Sequence, residues 1–437
     1  MADNTEHRPE KVYFPNIEVE NLEEYRIGGY HPTVIGDTFH EGRYEIVHKL
    51  GFGGYSTIWL ARDQRLQRYV SLKILIARQT SESNEVKILR LLSGCDSEST
   101  HPGQRFIPRL LDDFTFDGPN GRHLCLVQEF AACSITVAKE WSSNNMFPVE
   151  TARSIAAQLI LGLSYLHSRG ICHGDLHMHN FFIYGLNIDQ LSPDELYSRY
   201  AFDTAPVRRV DGAAPEPHAP PYAVWSMPIK TPADKLVDPI IKISDYGTSF
   251  VAAGNPSPQL HTPTLYRPPE ALFGDRITPL AADIWTFGVN LYEVLGERPL
   301  FETFTWDRDD ILADIISTLG LPPQRWWETW ANRGEFFEAD GQWRKEGISR
   351  IYDPVWRPLS QRMWDMGRGE KAESCEWDVE AGEMRALEVL FRGVLAWEPR
   401  ERWTAEDLVK SEYMVKWALP AWERQRRRQG EAAAAAV

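Results

Sequence analysis

The densest group of reactive side chains in this chain is the octapeptide HGDLHMHN, His173–Asn180. A carboxylate such as Asp175 can accept a proton from an attacking hydroxyl, and the amide oxygen of Asn180 can ligate Mg²⁺. A second carboxylate, Asp245, stands at the end of the apolar run in KISDYGTSF. Because Mg²⁺ prefers hard oxygen ligands, Asn180 and Asp245 are its predicted protein ligands. These residue types suit phosphoryl transfer.

The three histidines of the octapeptide, His173, His177 and His179, raise the alternative of a zinc site. No thiolate accompanies them in the segment, and the Asp and Asn have the roles just described. A zinc site is therefore disfavoured.

A glycine-rich segment, GFGGYS, lies far upstream, between two predicted strands. Glycines let a backbone approach phosphates closely, although a tight hairpin explains the segment about as well. Lys73, at the end of the next apolar strand, and Glu85, on the following helix, favour the phosphate-binding interpretation. Glu85 could pair with Lys73. The predicted nucleotide-binding residues here are Gly51, Phe52, Gly53, Gly54, Tyr55, Ser56, Lys73 and Glu85.

Composition narrows the class of protein. The 437 residues are 43% hydrophobic and 25% charged, as in a soluble globular chain large enough for two packed units. A net charge of -15 disfavours binding to nucleic acid or acidic membranes and is compatible with a basic partner. Five scattered cysteines, no secretory signal and no apolar stretch of about 20 residues indicate a cytoplasmic or nuclear protein.

The elements that must position these residues change type along the chain. Residues 44–130 read as a mostly β unit with one principal helix, at SESNEVKILRLL. After Glu129 the pattern turns helical, beginning with a long helix that ends at Gly170. A Pro- and Ala-rich stretch at roughly 201–239 is expected to have little packed structure, and the basic, Ala-rich end to form a frayed helix.

The ordered set of glycine loop, strand lysine, helix glutamate, Asp…Asn loop and Asp-x-Gly resembles the eukaryotic protein kinase signature. The resemblance continues with LYRPPEAL, AADIWTFG and EPRERWTAEDL, over roughly residues 44–415. It implies that Glu270 and Arg402 form a buried structural pair and that Asp283 holds the backbone of the catalytic loop. It also implies ATP and Mg²⁺ as cofactors, with Asp175, Lys73 and His177 as catalytic residues and Glu129 and Ala131 as further nucleotide contacts.

A finer resemblance is to the SR protein kinases of the CMGC group, carried by YRIGGYHPTVIGD, by RLLDDFTFDGPNGRHLCLVQEF and by an insertion at about 184–239. It implies an α+β fold, the bilobal protein kinase fold, with a β-rich N-lobe containing one main helix and a mostly helical C-lobe. The expected parts are an N-terminal extension (1–43), an N-lobe (44–130), a C-lobe (131–420) and a basic, Ala-rich tail (421–437). Protein substrates rich in Arg and Ser are implied as partners; the oligomeric state is left open.

Several positions depart from the family pattern. Ser56 replaces the third loop glycine, as in the SR protein kinases, and Tyr246 replaces the usual Phe or Leu. Gly174 replaces the arginine that in many kinases binds an activation-loop phosphate, which suggests activity without such phosphorylation. The serious change is His177, where protein kinases have a lysine that stabilises the transferred phosphoryl group. Thr262 and Thr264 straddle the family's usual threonine position, which leaves peptide recognition less certain than ATP binding.

Three hypotheses follow. The chain is an active Ser/Thr protein kinase, a weak or dead relative that binds nucleotide or a partner, or a small-molecule phosphotransferase, which also uses the HGDLHxxN form. The landmarks around Glu270, Asp283 and Arg402 count against the last of these. In TWDRDDILADI, Asp307, Asp309 and Asp310 could form an acidic docking patch for an Arg-rich segment, or could simply cap a helix.

Overall fold

A computed structural model gives the structure of the protein and describes residues 11–15, 17–93, 101–254, 259–303, 307–344 and 356–435. The chain divides into two compact units. The first draws on Met1–Ser93, Pro108–Ala131 and Leu186–Ile229, and the second on Gly94–Ile107, Ala132–Gly185 and Lys230–Val437.

The described residues form short and long strands and α-helices in both units. The strands are β1 Tyr13–Phe14, β2 Thr38–Phe39, β3 Tyr44–Gly53, β4 Ser56–Asp63, β5 Arg68–Leu75, β6 Leu110–Gly118, β7 Gly121–Glu129, β8 Ile171–Cys172, β9 Phe181–Tyr184, β10 Thr204–Pro206, β11 Arg208–Arg209, β12 Tyr222–Val224, β13 Ile240–Ile243 and β14 Phe250–Val251. The helices are α1 Asn84–Ser93, α2 Ile135–Glu140, α3 Val149–Ser168, α4 Pro193–Tyr200, α5 Pro269–Leu272, α6 Pro279–Leu295, α7 Arg308–Leu319, α8 Gln324–Thr329, α9 Leu359–Trp364, α10 Glu383–Val394, α11 Ala405–Lys410 and α12 Leu419–Ala435.

The first unit is built on a six-stranded antiparallel sheet with the order β2-β3-β4-β5-β7-β6. Alternate residues of a strand face opposite sides, so Val70, Leu72 and Ile74 of β5 enter one apolar core together with Trp59. Lys73, one residue out of phase, faces the other side of the sheet. Strand β5 thus contributes to the core on one face of the sheet and positions Lys73 on the other.

A second core in the first unit joins the N-terminal segment to the insertion. Tyr13, Tyr25 and Tyr30 pack with Val207 and with Ile76, which directly follows β5. Strand β1 pairs with β11, and β10 pairs with β12. The expectation of little packed structure over residues 201–239 is wrong for this part. The Pro- and Ala-rich composition suggested a disordered segment, but it contains a few widely spaced apolar residues. Their packing partners lie about 200 positions earlier in the chain.

The second unit is organised around α3, which is buried along most of its length. The helix ends at Ser168, and Gly170 then adopts φ 68, the left-handed conformation that a C′ glycine supplies. The predicted end of this helix is confirmed. Strands β9 and β13 pair antiparallel, as do β8 and β14, and these short ladders hold the loops that contain Asp175 and Asp245.

The start of α12 is packed, where a frayed helix was expected. Trp422 is buried, and the fully buried Gln425 bonds with Ser154 of α3 at 2.5 Å and with the carbonyl of Pro239 at 2.8 Å. The basic run that follows suggested an exposed helix, whereas the buried side chains of this turn are the apolar Trp422 and the amide Gln425. The prediction of a frayed helix is therefore wrong for this turn of α12.

Candidate active site

The loop His173–His177 begins at an anchor supplied by α6. The carboxylate of Asp283 accepts the backbone N–H of His173 at 2.6 Å and that of Gly174 at 3.0 Å. Gly174 has φ 77, and a Cβ there would lie 3.2 Å from the ring of Phe250, so the conformation itself favours glycine. Burial raises the pKa of Asp283, but bonds and charge from His167, His173 and the Gly174 N–H outweigh it and lower the pKa overall. Asp283 stays charged and fixes the loop, as the resemblance implied.

Three predicted site residues meet within this loop. The backbone carbonyl of Asp175 accepts a bond from Asn180 Nδ2 at 3.0 Å, and the same Nδ2 lies 3.2 Å from His177 Nε2. His177 Nε2 lies 3.7 Å from Asp175 Oδ1. Asp175 Oδ1 is itself buried and has no hydrogen-bond partner among the described residues. A buried carboxylate oxygen in this condition is suited to accept a bond from a hydroxyl that enters the site.

The three histidines of the octapeptide have different surroundings. His173 is fully buried, its Nε2 lies 3.0 Å from the carbonyl oxygen of Ser244, and burial lowers its pKa. The rings of His177 and His179 are 5.7 Å apart between centroids. In the part of the chain that the structure describes, no group of three or more His, Cys, Asp or Glu side chains could hold a metal ion.

The β9–β13 ladder brings the two predicted magnesium ligands to neighbouring positions. Phe181 pairs with Ile243, and the N–H of Ser244 donates to the carbonyl of Asn180 at 2.8 Å. Asp245 follows directly, with φ 67, an uncommon conformation for a residue other than glycine. Such outliers persist where the surrounding structure enforces them, often at functional sites. An amide and a carboxylate brought together at one end of a ladder fit a Mg²⁺ that also binds phosphate oxygens.

The glycine-rich segment is the turn between β3 and β4. Gly53 pairs with Ser56 across the hairpin, and Gly54 and Tyr55 form its tip. A Cβ added at Gly51, Gly53 or Gly54 would meet no atom within 4 Å. Packing within the chain therefore does not account for the glycines, whereas close approach of a phosphate would. Phe52 and Tyr55 are exposed on the same turn.

The predicted pairing of Lys73 with Glu85 is confirmed. Lys73 Nζ lies 2.7 Å from Glu85 Oε2, with both side chains largely removed from solvent. The lysine comes from the non-core face of β5 and the glutamate from the first turn of α1, where a carboxylate is also favoured by the helix dipole. A nearly buried ammonium held in this way is a fixed charge for a phosphate group.

Two predicted nucleotide contacts lie at the end of the sheet. Glu129 is the last residue of β7 and pairs in register with Val70, and Ala131 is the last residue of that segment of the first unit. Their contact with a nucleotide stays a prediction.

Sequence analysis missed residues that contact the glycine-rich turn from the N-terminal segment. The hydroxyl of Tyr30 donates to the carbonyl of Gly53 at 2.8 Å. Glu20 pairs with Lys49, which lies in β3 just before the turn. The GGY motif marks this segment in the sequence, but the motif alone does not indicate that Tyr30 contacts the turn.

Comparison with known proteins identifies the family to which this chain belongs. The family model of the protein kinase domain matches residues 44–189 and 231–414, so the chain belongs to the protein kinase family. The expected α+β, bilobal kinase fold is confirmed by the β-rich first unit and the helical second unit. Kinases of this family use ATP and Mg²⁺ in general.

More particularly, the chain is a serine/threonine-protein kinase that is similar to SR protein kinases. It is 28% identical to "Serine/threonine-protein kinase SRPK" of Physarum polycephalum over 414 residues, which cover 91% of this chain and 92% of that protein. It is 38% identical to "Protein kinase dsk1" of Schizosaccharomyces pombe over 166 residues, 38% of this chain and 30% of that protein. It is also 38% identical to "SRSF protein kinase 3" of Homo sapiens over 170 residues, with the same two shares.

Among the described residues, none of the helices has the length and apolar character needed to cross a membrane.

Proposed function

We propose that this kinase transfers the γ-phosphoryl group of ATP to serine or threonine hydroxyls in proteins rich in Arg and Ser, with Asp175 as the base. The observation that carries the proposal is Oδ1 of Asp175, which is buried and accepts no hydrogen bond from any residue that the structure describes, on a loop anchored by Asp283. A substrate hydroxyl would satisfy this oxygen and could pass it a proton. The position suits a catalytic carboxylate better than a structural one.

The other site residues have separate proposed roles. Lys73, oriented by Glu85, would hold a phosphate group of the nucleotide, and the Gly51–Ser56 turn would bind phosphates through its backbone. Asn180 and Asp245 would hold Mg²⁺, which when bound neutralises charge on the phosphates. His177 would donate a hydrogen bond to the transferred group in place of the ammonium that most protein kinases supply.

The substrate class rests on similarity and charge. The names of the relatives specify SRPK and SRSF protein kinases. A net charge of -15 favours encounter with an arginine-rich segment. We also infer a cytoplasmic or nuclear location, since Cys125, Cys133, Cys172 and Cys375 are free thiols.

The direct test is phosphate transfer from labelled ATP and Mg²⁺ to an Arg/Ser peptide, with a peptide in which every Ser is Ala as the blank. Asp175→Asn should lower turnover by roughly 10²–10⁴-fold, because it removes the proton acceptor, with little change in ATP affinity. The matched control is Asp117→Asn, in an exposed stretch of β6, which should leave turnover unchanged. A wild-type protein that binds ATP but transfers nothing to peptides or aminoglycosides would contradict the proposal in favour of a nucleotide-binding scaffold.

A further inference from the structure

Within the part of the chain that the structure describes, a side chain from outside the hairpin bonds to the backbone of the glycine-rich turn close to its centre. Tyr30, buried in the core that joins the N-terminal segment to the insertion, donates its hydroxyl to the carbonyl of Gly53 at 2.8 Å. At Gly51, Gly53 and Gly54 the space where a Cβ would lie is open to 4 Å. A turn with so little packing around these glycines depends strongly on each bond that its backbone makes.

Tyr30 is itself held rigidly. Its carbonyl accepts a bond from Asn120 Nδ2 at 2.6 Å, and its N–H donates to the carbonyl of Glu24 at 2.9 Å. A Cβ on the preceding Gly29 would lie 1.8 Å from that same Glu24 oxygen, so only glycine fits there. Burial, then the nearby carboxylates, raise the pKa of Tyr30 to about 12, and its hydroxyl therefore remains a donor.

The same segment is bonded to the chain that follows Lys73. The N–H groups of Ala77 and Arg78 donate to the carbonyls of Gly29 and Gly28, each at 3.0 Å. The guanidinium of Arg78 also lies 2.9 Å from Glu24. The N-terminal segment thus links the end of β5, the strand that contains Lys73, to the turn between β3 and β4.

A second anchor lies two residues before the turn. The ammonium of Lys49 is fully buried and pairs with Glu20, which also accepts the hydroxyl of Tyr25. Removing one member of a buried ion pair leaves the other charge without compensation, so Glu20 is what allows a lysine at this place. The Lys49 ammonium lies 5.5 Å from the ring centroids of both Phe52, in the turn, and Trp59, in the core.

We propose that Tyr30, supported by Glu20, is a positioning residue for nucleotide binding: it holds the Gly51–Ser56 turn in the form that receives the phosphates. The segment that contains both residues lies before residue 44, where the match to the kinase domain begins. The inference rests on the proposed function, because it assumes that the turn binds the phosphates of ATP.

The test is Tyr30→Phe, which removes one hydroxyl and keeps the buried ring. Binding of ATP with Mg²⁺, and of adenosine, is measured by titration calorimetry, together with KM, kcat and Tm. We expect the Kd and KM for ATP to rise by roughly three- to tenfold with kcat nearly unchanged, the effect of one lost hydrogen bond. The Kd for adenosine should stay the same, because adenosine has no phosphates for the turn to bind.

The matched control is Tyr13→Phe. Its hydroxyl also donates to a backbone carbonyl of the N-terminal segment, that of Tyr25 at 3.4 Å, but it does not contact the turn. Because that bond is longer, Tyr13→Phe should lower Tm no more than Tyr30→Phe does, and it should leave the Kd for ATP unchanged. The inference is overturned if Tyr30→Phe leaves the Kd for ATP unaltered, if Tyr13→Phe raises it equally, or if the Kd for adenosine rises in parallel. A wild type that fails to bind ATP would overturn the proposed function as well, which separates the two failures.

Discussion

Histidine 177 is the residue at which this chain departs most from the chemistry of its family. Its Nε2 lies 3.2 Å from Asn180 Nδ2 and 3.7 Å from Asp175 Oδ1, so it lies beside a proposed Mg²⁺ ligand and the proposed base. An imidazole in this place can donate a hydrogen bond. His177→Ala should then lower kcat by about 10²–10³-fold, the loss typical of one transition-state donor, with the Kd for ATP unchanged. Single-turnover rates and ATP titration measure the two quantities.

The comparison that decides the role of His177 is His177→Lys. If His177→Ala changes kcat little and His177→Lys raises it, then His177 reflects the loss of catalytic function at this site and not a different way of stabilising the phosphoryl group. Circular dichroism and Tm of each variant show whether a change in rate reflects a change in folding. The exposed neighbour His179 provides the control, since His179→Ala should leave kcat near the wild-type value.

Lys73 allows a second test at the same scale. Lys73→Met should cut phosphoryl transfer by orders of magnitude, because it removes the charge that positions a phosphate. The structure adds a consequence for stability, since Glu85, with 5% of its side chain exposed, would lose its ion-pair partner. The double variant Lys73→Met/Glu85→Gln should therefore recover Tm while staying inactive. Inactivity with full ATP binding in both variants would contradict the phosphate role.

At the scale of elements, the pair Glu270–Arg402 ties the start of α5 to the segment before α11. Arg402 donates to both carboxylate oxygens, at 2.8 and 2.6 Å, and both side chains are almost wholly buried. Arg402→Met leaves a buried carboxylate unpaired and should cost about 3–5 kcal/mol in the free energy of unfolding. Urea unfolding measures this, and Glu270→Gln/Arg402→Met should recover part of the loss.

The surface pair Glu388–Arg392 on α10 is the control for that measurement. Its oxygen and nitrogen lie 2.6 Å apart, but both side chains are substantially exposed. Arg392→Met should cost only about 0.3–0.5 kcal/mol, as is typical of exposed i,i+4 pairs. Equal losses for Arg392→Met and Arg402→Met would mean that burial of the Glu270–Arg402 pair is unimportant.

The elements also show what a sequence can predict. The long helix ending before Gly170, the strand that ends near Lys73 and the Lys73–Glu85 pair follow from local periodicity and from motif order, and all are confirmed. The packing of the insertion does not follow from local pattern. Val207 finds its partners in Tyr13 and Tyr25, and no rule of local spacing links residues so far apart.

For the whole molecule, the candidate site was predictable in its residues but only partly in its supports. Asp175, Asn180 and Asp245 could be predicted because of their residue types, the dense polar octapeptide, the apolar run before Asp245 and the order of the motifs along the chain. Tyr30 could not be predicted, because its role depends on a bond to the backbone carbonyl of Gly53. Every residue has such a carbonyl, so the sequence does not show which one a side chain will contact. Supports of this kind become visible only when the chain is folded.

The acidic character of the whole molecule gives the last prediction. With a net charge of -15, the KM for an arginine-rich peptide should rise with ionic strength, because exposed charges are screened beyond about 10 Å at 0.1 M salt. A peptide with citrulline in place of arginine is the control and should show little salt dependence. A flat response for both peptides would show that long-range charge does not contribute to recognition.

The α7 segment is where that charge can be tested locally. Asp307 caps the helix by accepting the N–H of Asp309 at 2.8 Å, and Asp309 accepts bonds from Trp330 Nε1 at 2.7 Å and Asn332 Nδ2 at 2.6 Å. Reversing the charge of Asp309 would thus disturb the fold, so the milder change Asp310→Asn is used, which keeps the size and hydrogen-bonding oxygen of the side chain. If this segment contacts substrate, Asp310→Asn should raise the KM for the arginine peptide and flatten its salt dependence, with kcat unchanged and with the protein still folded at the assay temperature by its Tm. An unaltered KM would leave capping and local packing as the roles of these aspartates, and would place the contact with arginine elsewhere on the protein.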